Sequence, residues 1–472
     1  MPTKSSKISS IKSESSIHPY HFYREENPDL PLRESPPINN HYQPIFSNIR
    51  KHMLTPMGYK IKESLEEFKP HSNRIAQWND IIWQGDMLGD KLARMFKDLK
   101  PGQGRKLFEQ VLEEGIESIK DPHPALVELS EHMNSIPKLF DMNKVKRGSE
   151  ILSDTSLFSY YLAMFSQLGI GSNFGPVGRM VGASGRFFNV RKSVNRLVET
   201  IKYVVADMNS EDLFQAGSES LKDAYRVKLM HGLVRAHAMN SDDKEVYDFE
   251  NRGNPINMRD SMGGAFVFGI TPLAMDNALG GNRKAVEFEC IAEIGNIIAY
   301  INGTDYELLP KSLDEHALFY DWMFGTYEGL GPYAEKLNQA TYIDTPKAIE
   351  EGQNSWFAKQ AVNLAGTILS SLMIWSYGKD LCEKAGGIDT SFKAQIGTIV
   401  FPIYKYGRKI FDALDSFLPG SEGRKLKRRA FHKKFHNEII LDFIMKSLDQ
   451  SVDLKFDGHD ASTDKDMSNS AA

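Results

Sequence analysis

The chain has 472 residues, 41% of them hydrophobic and 25% charged, with a formal net charge of −5. These are globular proportions, and they exclude a collagen-like or wholly disordered chain. Two cysteines, Cys290 and Cys382, exclude a disulfide scaffold and a four-cysteine zinc or iron–sulfur centre, and nothing in the global charge asks for a nucleic-acid partner.

Residues 1–45 read as a disordered tail. MPTKSSKISSIKSESS is rich in Ser and Lys, and PDLPLRESPPINN is rich in Pro, so there is little apolar surface to offset chain entropy. No apolar run of signal-peptide length opens the chain, which points to a cytoplasmic protein. Residues 451–472 read as a second tail. From 46 to 450 the apolar period stays near 3.6, and one large all-α domain is predicted.

Leu107, Phe108, Val111, Leu112, Ile116 and Ile119 trace one helical stripe. LGIGSNFG at 168–175 holds three glycines without the spacing of a dinucleotide loop. The segment 191–208, RKSVNRLVETIKYVVADM, places Arg196 and Thr200 four apart on one helix side. They read either as a polar pocket corner or as a surface Arg and a back-bonded Thr.

The segment 218–239, SESLKDAYRVKLMHGLVRAHAM, has Ser218 as its expected N-cap. Val227, His231, Val234 and Ala238 share a face, with Gly232 beside His231 and Arg226 and Arg235 on the flanks. His231 reads either as a satisfied core histidine or as the iron ligand of a porphyrin. In the second case the arginines would meet the propionates, and Gly232 would leave room for a flat group.

Asn257 and Asp260 are expected to open the next helix as a capping pair, and Gly263 and Gly264 suggest close packing. Phe288, Ile291, Ile294, Ile298 and Ile301 form another stripe. The longest uncharged window, 360–378, carries too many polar residues for a membrane span and reads as core helix or surface contact. RKLKRRAFHKK at 424–434 has seven Lys and Arg, either a solvated face or a contact to anionic lipid. There is no GxxxxGK[ST], GxSxG, HExxH or CxxC, and none of the 13 histidines has Glu three residues before it.

RVKLMHGLVR, RLVET at 196–200, and GNPINMRDSMGGAFVFGI leading to ECIAEIGNIIAYINGTDYELLP resemble the rubber-oxygenase (latex-clearing protein) catalytic domain family, which also contains the MpaB-type oxygenases. QGDMLGDKLARMF, PGQGRKLFEQVLEEGI, DPHPAL and GRMVGASGRF match upstream, so the resemblance covers about residues 80–310. It implies an all-α fold with a globin-like core holding heme b, His231 as the proximal ligand, and Arg196 and Thr200 as the polar pair of the heme pocket. Arg226 and Arg235 are the expected propionate contacts, with ordinary ion pairs to Asp223, Asp242 or similar as the alternative. It further implies that O₂ cleaves a carbon–carbon double bond of an isoprenoid or lipid-like substrate. Two positions depart from the family. Glu199 stands where a lysine precedes the threonine, and Met180 stands where a glutamate serves as base. These departures keep a heme carrier, sensor or pseudo-enzyme as the alternative. Peripheral membrane contact through 360–378 or 424–434 is a further expectation.

Overall fold

The computed structural model describes residues 32–183, 210–240, 247–326 and 328–435. Among these residues the structure is helical, and the one β contact is an isolated antiparallel bridge between Phe174 and Leu330. In chain order the principal helices are α1 (Ser47–Leu54), α2 (Ser72–Asp80), α3 (Met87–Asp98), α4 (Gln103–Glu114), α5 (Pro124–Leu139), α6 (Met142–Ser153), α7 (Leu157–Asn173) and α8 (Gly175–Ala183). They continue as α9 (Glu219–Asn240), α10 (Met258–Ala278), α11 (Ala285–Ile301), α12 (Leu313–Gly325), α13 (Trp356–Tyr377), α14 (Phe392–Gly397), α15 (Val400–Phe417) and α16 (Ser421–Lys434). The all-α expectation holds.

Helix starts follow side-chain chemistry. Ser218 Oγ accepts from the Leu221 amide at 3.3 Å at the head of α9. Asn257 Oδ1 accepts from the Asp260 amide at 2.9 Å, and Asn257 Nδ2 donates to Asp260 Oδ2 at 3.0 Å, so the expected capping pair opens α10. The two bonds from backbone amides satisfy polar groups that a helix end leaves without partners.

The α11 stripe is the centre of the fold. Phe288, Ile291, Ile294, Ile298 and Ile301 are all buried, and α11 packs against α10 and α6. The main apolar core extends from Phe46 to Phe401. Fully burying one such aliphatic side chain stabilises by about 1.5–3 kcal/mol. Gly263 lies against Met323 as the close-packing expectation requires, whereas Gly264 faces open space.

Two expectations are corrected. The tail does not extend to residue 45. Arg33 N donates to Asp80 Oδ1 at 2.9 Å, Trp83 Nε1 donates to the Glu34 carbonyl at 2.7 Å, and Asn39 and Phe46 are buried. These long-range bonds hold 32–45 on the domain despite its proline content. The 360–378 window is not core throughout. Leu372, Met373, Ile374 and Tyr377 are buried, but Leu364 near the start of α13 is exposed. The tail expected at 451–472 lies outside the described residues.

Candidate functional site

Helix α9 packs along α3, and its C-terminal half reaches the turn that follows α11. The α3–α9 approach depends on Gly232. A Cβ there would collide with the Gly89 carbonyl, so the space beside His231 is filled by α3 backbone. This corrects the reading that Gly232 leaves room for a flat group. Gly303 has φ of 99°, and a Cβ on it would collide with Asp86, so the 301–304 turn is pressed onto the start of α3.

Within this junction α9 presents Lys228, His231 and Arg235, spaced three and four apart on one side. Lys228 Nζ donates to Asp86 Oδ1 at 2.6 Å and to the Ile301 carbonyl at 2.8 Å. Arg235 Nε donates to Asp90 Oδ1 at 2.6 Å, its Nη1 to the Ile256 carbonyl at 2.9 Å, and its Nη2 to the Asp86 carbonyl at 3.2 Å. All four charged side chains are buried. Burial alone would raise Asp86, but Lys228 and Arg235 outweigh it and hold the carboxyl below its usual range. Burial pushes Asp90 up to about 6 against the pull of Arg235. Burial also lowers Lys228, although Asp86 opposes it.

His231 sits between these two pairs and is half-buried. Its Nδ1 lies 3.0 Å from Asn302 Oδ1. Asn302 Nδ2 is committed to the Ile298 carbonyl at 2.9 Å, so the amide presents its oxygen to the imidazole. An amide oxygen only accepts, so His231 Nδ1 carries the proton and Nε2 carries the lone pair. Burial, reinforced by the Arg235 charge, lowers the imidazole to about 4. At neutral pH it is therefore uncharged, with one fixed tautomer and no described hydrogen-bond partner for Nε2. Val227 and Val234 on the same stripe are half-buried, and Ala238 at its end packs with Met180 and Tyr247.

Behind this junction His132 Nδ1 is hydrogen-bonded to Tyr225 Oη at 2.6 Å, and its ring stacks on Tyr300 at 4.3 Å between centroids. Sequence reasoning missed Asn302, Lys228, Asp86, Asp90 and His132. Two cations flanking a histidine on one helix face were a signal, because buried cations require carboxylates.

Arg226 is five residues from His231, about 140° around the helix. It donates to Asp223 at 2.7 Å, Glu109 at 2.8 Å and Glu113 at 3.0 Å. Arg226 thus takes the ion-pair alternative, and Arg235 is engaged by Asp90. Neither is presented as an uncommitted cation for a propionate. Arg196, Thr200 and Glu199 lie outside the described residues. Among the described residues no three His, Cys, Asp or Glu side chains gather as a metal site.

The geometry defines an all-α protein with one neutral, oriented imidazole at a buried ionic junction. No family model and no curated protein matches the chain. Among solved structures it is similar to latex clearing protein in the closed state, with a TM-score of 0.53 and 13% sequence identity. The match covers 75% of this chain and 90% of that one. The likeness shows a fold shared with latex clearing protein, and it carries nothing specific to the MpaB-type branch.

Histidine burial gives the fold an acid-sensitive element. Burial lowers His52 and His231 to about 4 and His132 and His316 to about 3. Between these values and 6.5 the unfolded chain binds more protons than the folded one, so stability falls as pH drops. Each histidine contributes at most about 1.4 kcal/mol per pH unit. The raised Asp90 acts in the opposite sense between 3.8 and about 6, and the raised Asp305 and Asp321 act in that sense above 3.8, so the carboxyls partly offset the fall below about pH 6. The expected result is a melting temperature that drops steadily from pH 7 to 5.5. A flat profile would contradict the assignment of four neutral histidines.

Proposed function

We propose that the protein is a heme b oxygenase that uses O₂ to oxidise a carbon–carbon double bond of a hydrophobic, isoprenoid or lipid-like substrate. The observation that carries this reading is His231, neutral, with Nδ1 held by Asn302 and the Nε2 lone pair free. A metal-ligating histidine is commonly oriented in this way through its other ring nitrogen. The likeness of fold to latex clearing protein supports the same reading. Of the described residues, His231 would offer its Nε2 to the iron. The propionate contacts are not assigned, since Arg226 and Arg235 are held by carboxylates.

Heme bound there would supply O₂ binding and redox chemistry. The chain's own part follows from the geometry. His231 offers Nε2 as a base that stays unprotonated down to about pH 4. Asn302 holds the proton on Nδ1 and fixes the ring plane. Arg235 disfavours imidazolium formation at neutral pH. We further propose that Arg196 and Thr200 form the polar corner of the pocket and that the substrate is recognised mainly by apolar contact.

Hemin titration of the full chain tests the first half. A Soret band saturating at one heme per chain is expected, and a chain that stays colourless would overturn the reading. Oxygen uptake with a polyisoprenoid tests the second half, and a heme-loaded chain without uptake would instead be a carrier or sensor. Asn302→Ala is expected to weaken hemin binding about 10–100-fold, the usual cost of losing an orienting partner. Asn302→Asp should restore binding and lower the heme reduction potential, because the carboxylate makes the imidazole more basic. Equal affinity for wild type and Asn302→Ala would remove Asn302 from the site.

A further inference from the structure

Helix α15 is inverted. Its inward side carries the polar anchors: Arg408 Nη2 donates to Asp276 Oδ2 at 3.2 Å, and Tyr404 Oη is hydrogen-bonded to Ser156 Oγ at 2.6 Å. Only Phe401 is a buried hydrophobic residue of this helix. The apolar stripe faces out. Ile399, Ile403, Tyr406, Ile410, Leu414 and Phe417 recur at helical spacing and are all exposed, Phe417 to 85%. The helix has 18 residues, so the stripe extends about 27 Å. Directly before it, α14 exposes Phe392 to 77% together with Ile396. An ordinary surface helix turns its apolar face to the core, and contiguous exposed apolar surface on this scale marks an interaction site.

The charge around the stripe identifies the occupant. Residues 392–434 hold eleven Lys and Arg against three Asp and Glu, a net of +8 in a chain whose total is −5. Arg408 is paired with Asp276, and Arg428 and Arg429 lie near Asp154, so the exposed lysines carry the outward charge. Lys393 and Lys409 are exposed beside the apolar stripe, and α16 follows with Lys427 exposed and seven basic residues in all. Two copies meeting through this face would bring two such positive regions together. An anionic bilayer surface would receive the cations and the apolar stripe at once. No helix among the described residues is long and apolar enough to cross a membrane.

We propose that α14, α15 and α16 form a docking face that lies on an anionic membrane surface, with Ile403, Ile410 and Phe417 entering the acyl boundary and the exposed Lys393, Lys409 and Lys427 meeting lipid phosphates. The inference is independent of the heme reading. It moves the expected membrane contact from 360–378 onto α15 and joins it to the basic 424–434 helix.

Flotation of the full chain tests it, with phosphatidylcholine vesicles and with vesicles containing about one-third phosphatidylserine. The protein is expected to float with the anionic vesicles and to lose most binding at high salt. Ile410→Glu and Phe417→Glu should each weaken binding about tenfold or more, the loss of one buried apolar side chain, without changing the circular dichroism spectrum. Lys409→Glu with Lys427→Glu should reduce the preference for phosphatidylserine. Failure to float with either vesicle would overturn the proposal. Equal, salt-insensitive flotation on both would overturn the anionic assignment. A stable dimer that Ile410→Glu converts to monomer, without vesicle binding, would assign the face to a second copy.

Discussion

His231→Ala is expected to abolish the Soret band that hemin produces with the wild-type chain. His231 combines the required properties: an imidazole held neutral, a proton fixed on Nδ1 by Asn302, and an unshared Nε2 lone pair. His432, lowered by burial with its Nδ1 3.0 Å from the Ser153 carbonyl, resembles it, so His432→Ala is the control variant. His132 does not, because the Tyr225 hydroxyl can donate or accept and so fixes no tautomer, and its ring is stacked on Tyr300. His237 does not, because it is exposed. His237→Ala should therefore keep the full heme stoichiometry. The structural cost of His231→Ala is modest, since the ring makes one hydrogen bond and leaves Asn302 Oδ1 beside a half-exposed space. That loss is about 1–3 kcal/mol, so the variant should remain folded and the spectrum should report ligation alone. His231→Gly with added imidazole should regain a Soret band. A band that persists in His231→Ala would move the iron to another ligand and remove the basis of the proposed function.

The fold was legible where one local rule decided the outcome. Ser218 and Asn257 cap their helices because an oxygen is placed within reach of the third residue on. The α11 stripe is buried because period 3.6 puts five large side chains on one side. Locality also explains the failures. The α15 stripe has the same period, yet it faces outward, because Arg408 and Tyr404 find partners in Asp276 and Ser156. Periodicity gives a stripe and not the direction in which it points. In the site, His231 was legible as a residue type in an apolar setting, but Asn302 lies 71 positions away and Asp86 lies 142 positions from Lys228. Pairings at such separations are set by how helices cross, and no helical period encodes them. Gly232 shows the same limit: its lack of a side chain was visible, but that α3 rather than a ligand fills the space was not.

The second large effect is expected at Asp86. Asp86→Ala leaves Lys228 buried with the Ile301 carbonyl as its remaining acceptor, and removes the acceptor for the Gly89 amide at the head of α3. Breaking a buried ion pair in this way costs about 3–5 kcal/mol, and the lost cap about 1 kcal/mol more. The cost has a ceiling. Lys228 can release its proton, and from a reference pKa of 10.5 this costs about 5 kcal/mol at pH 7. Urea unfolding at pH 7 should therefore show a loss of about 4–6 kcal/mol. Neutralising Lys228 costs less as pH approaches 10.5. The unfolded chain then gives up the proton too, so the deficit should shrink between pH 7 and 9.5. Removing both charges separates pairing from packing. Asp86→Ala with Lys228→Met should recover most of the stability, because no buried charge is left unpaired. If the single variant is as stable as wild type, the surroundings of Lys228 are not dry. Stability at Asp86 thus rests on the exclusion of water around Lys228, where α3, α9 and the 301–304 turn meet.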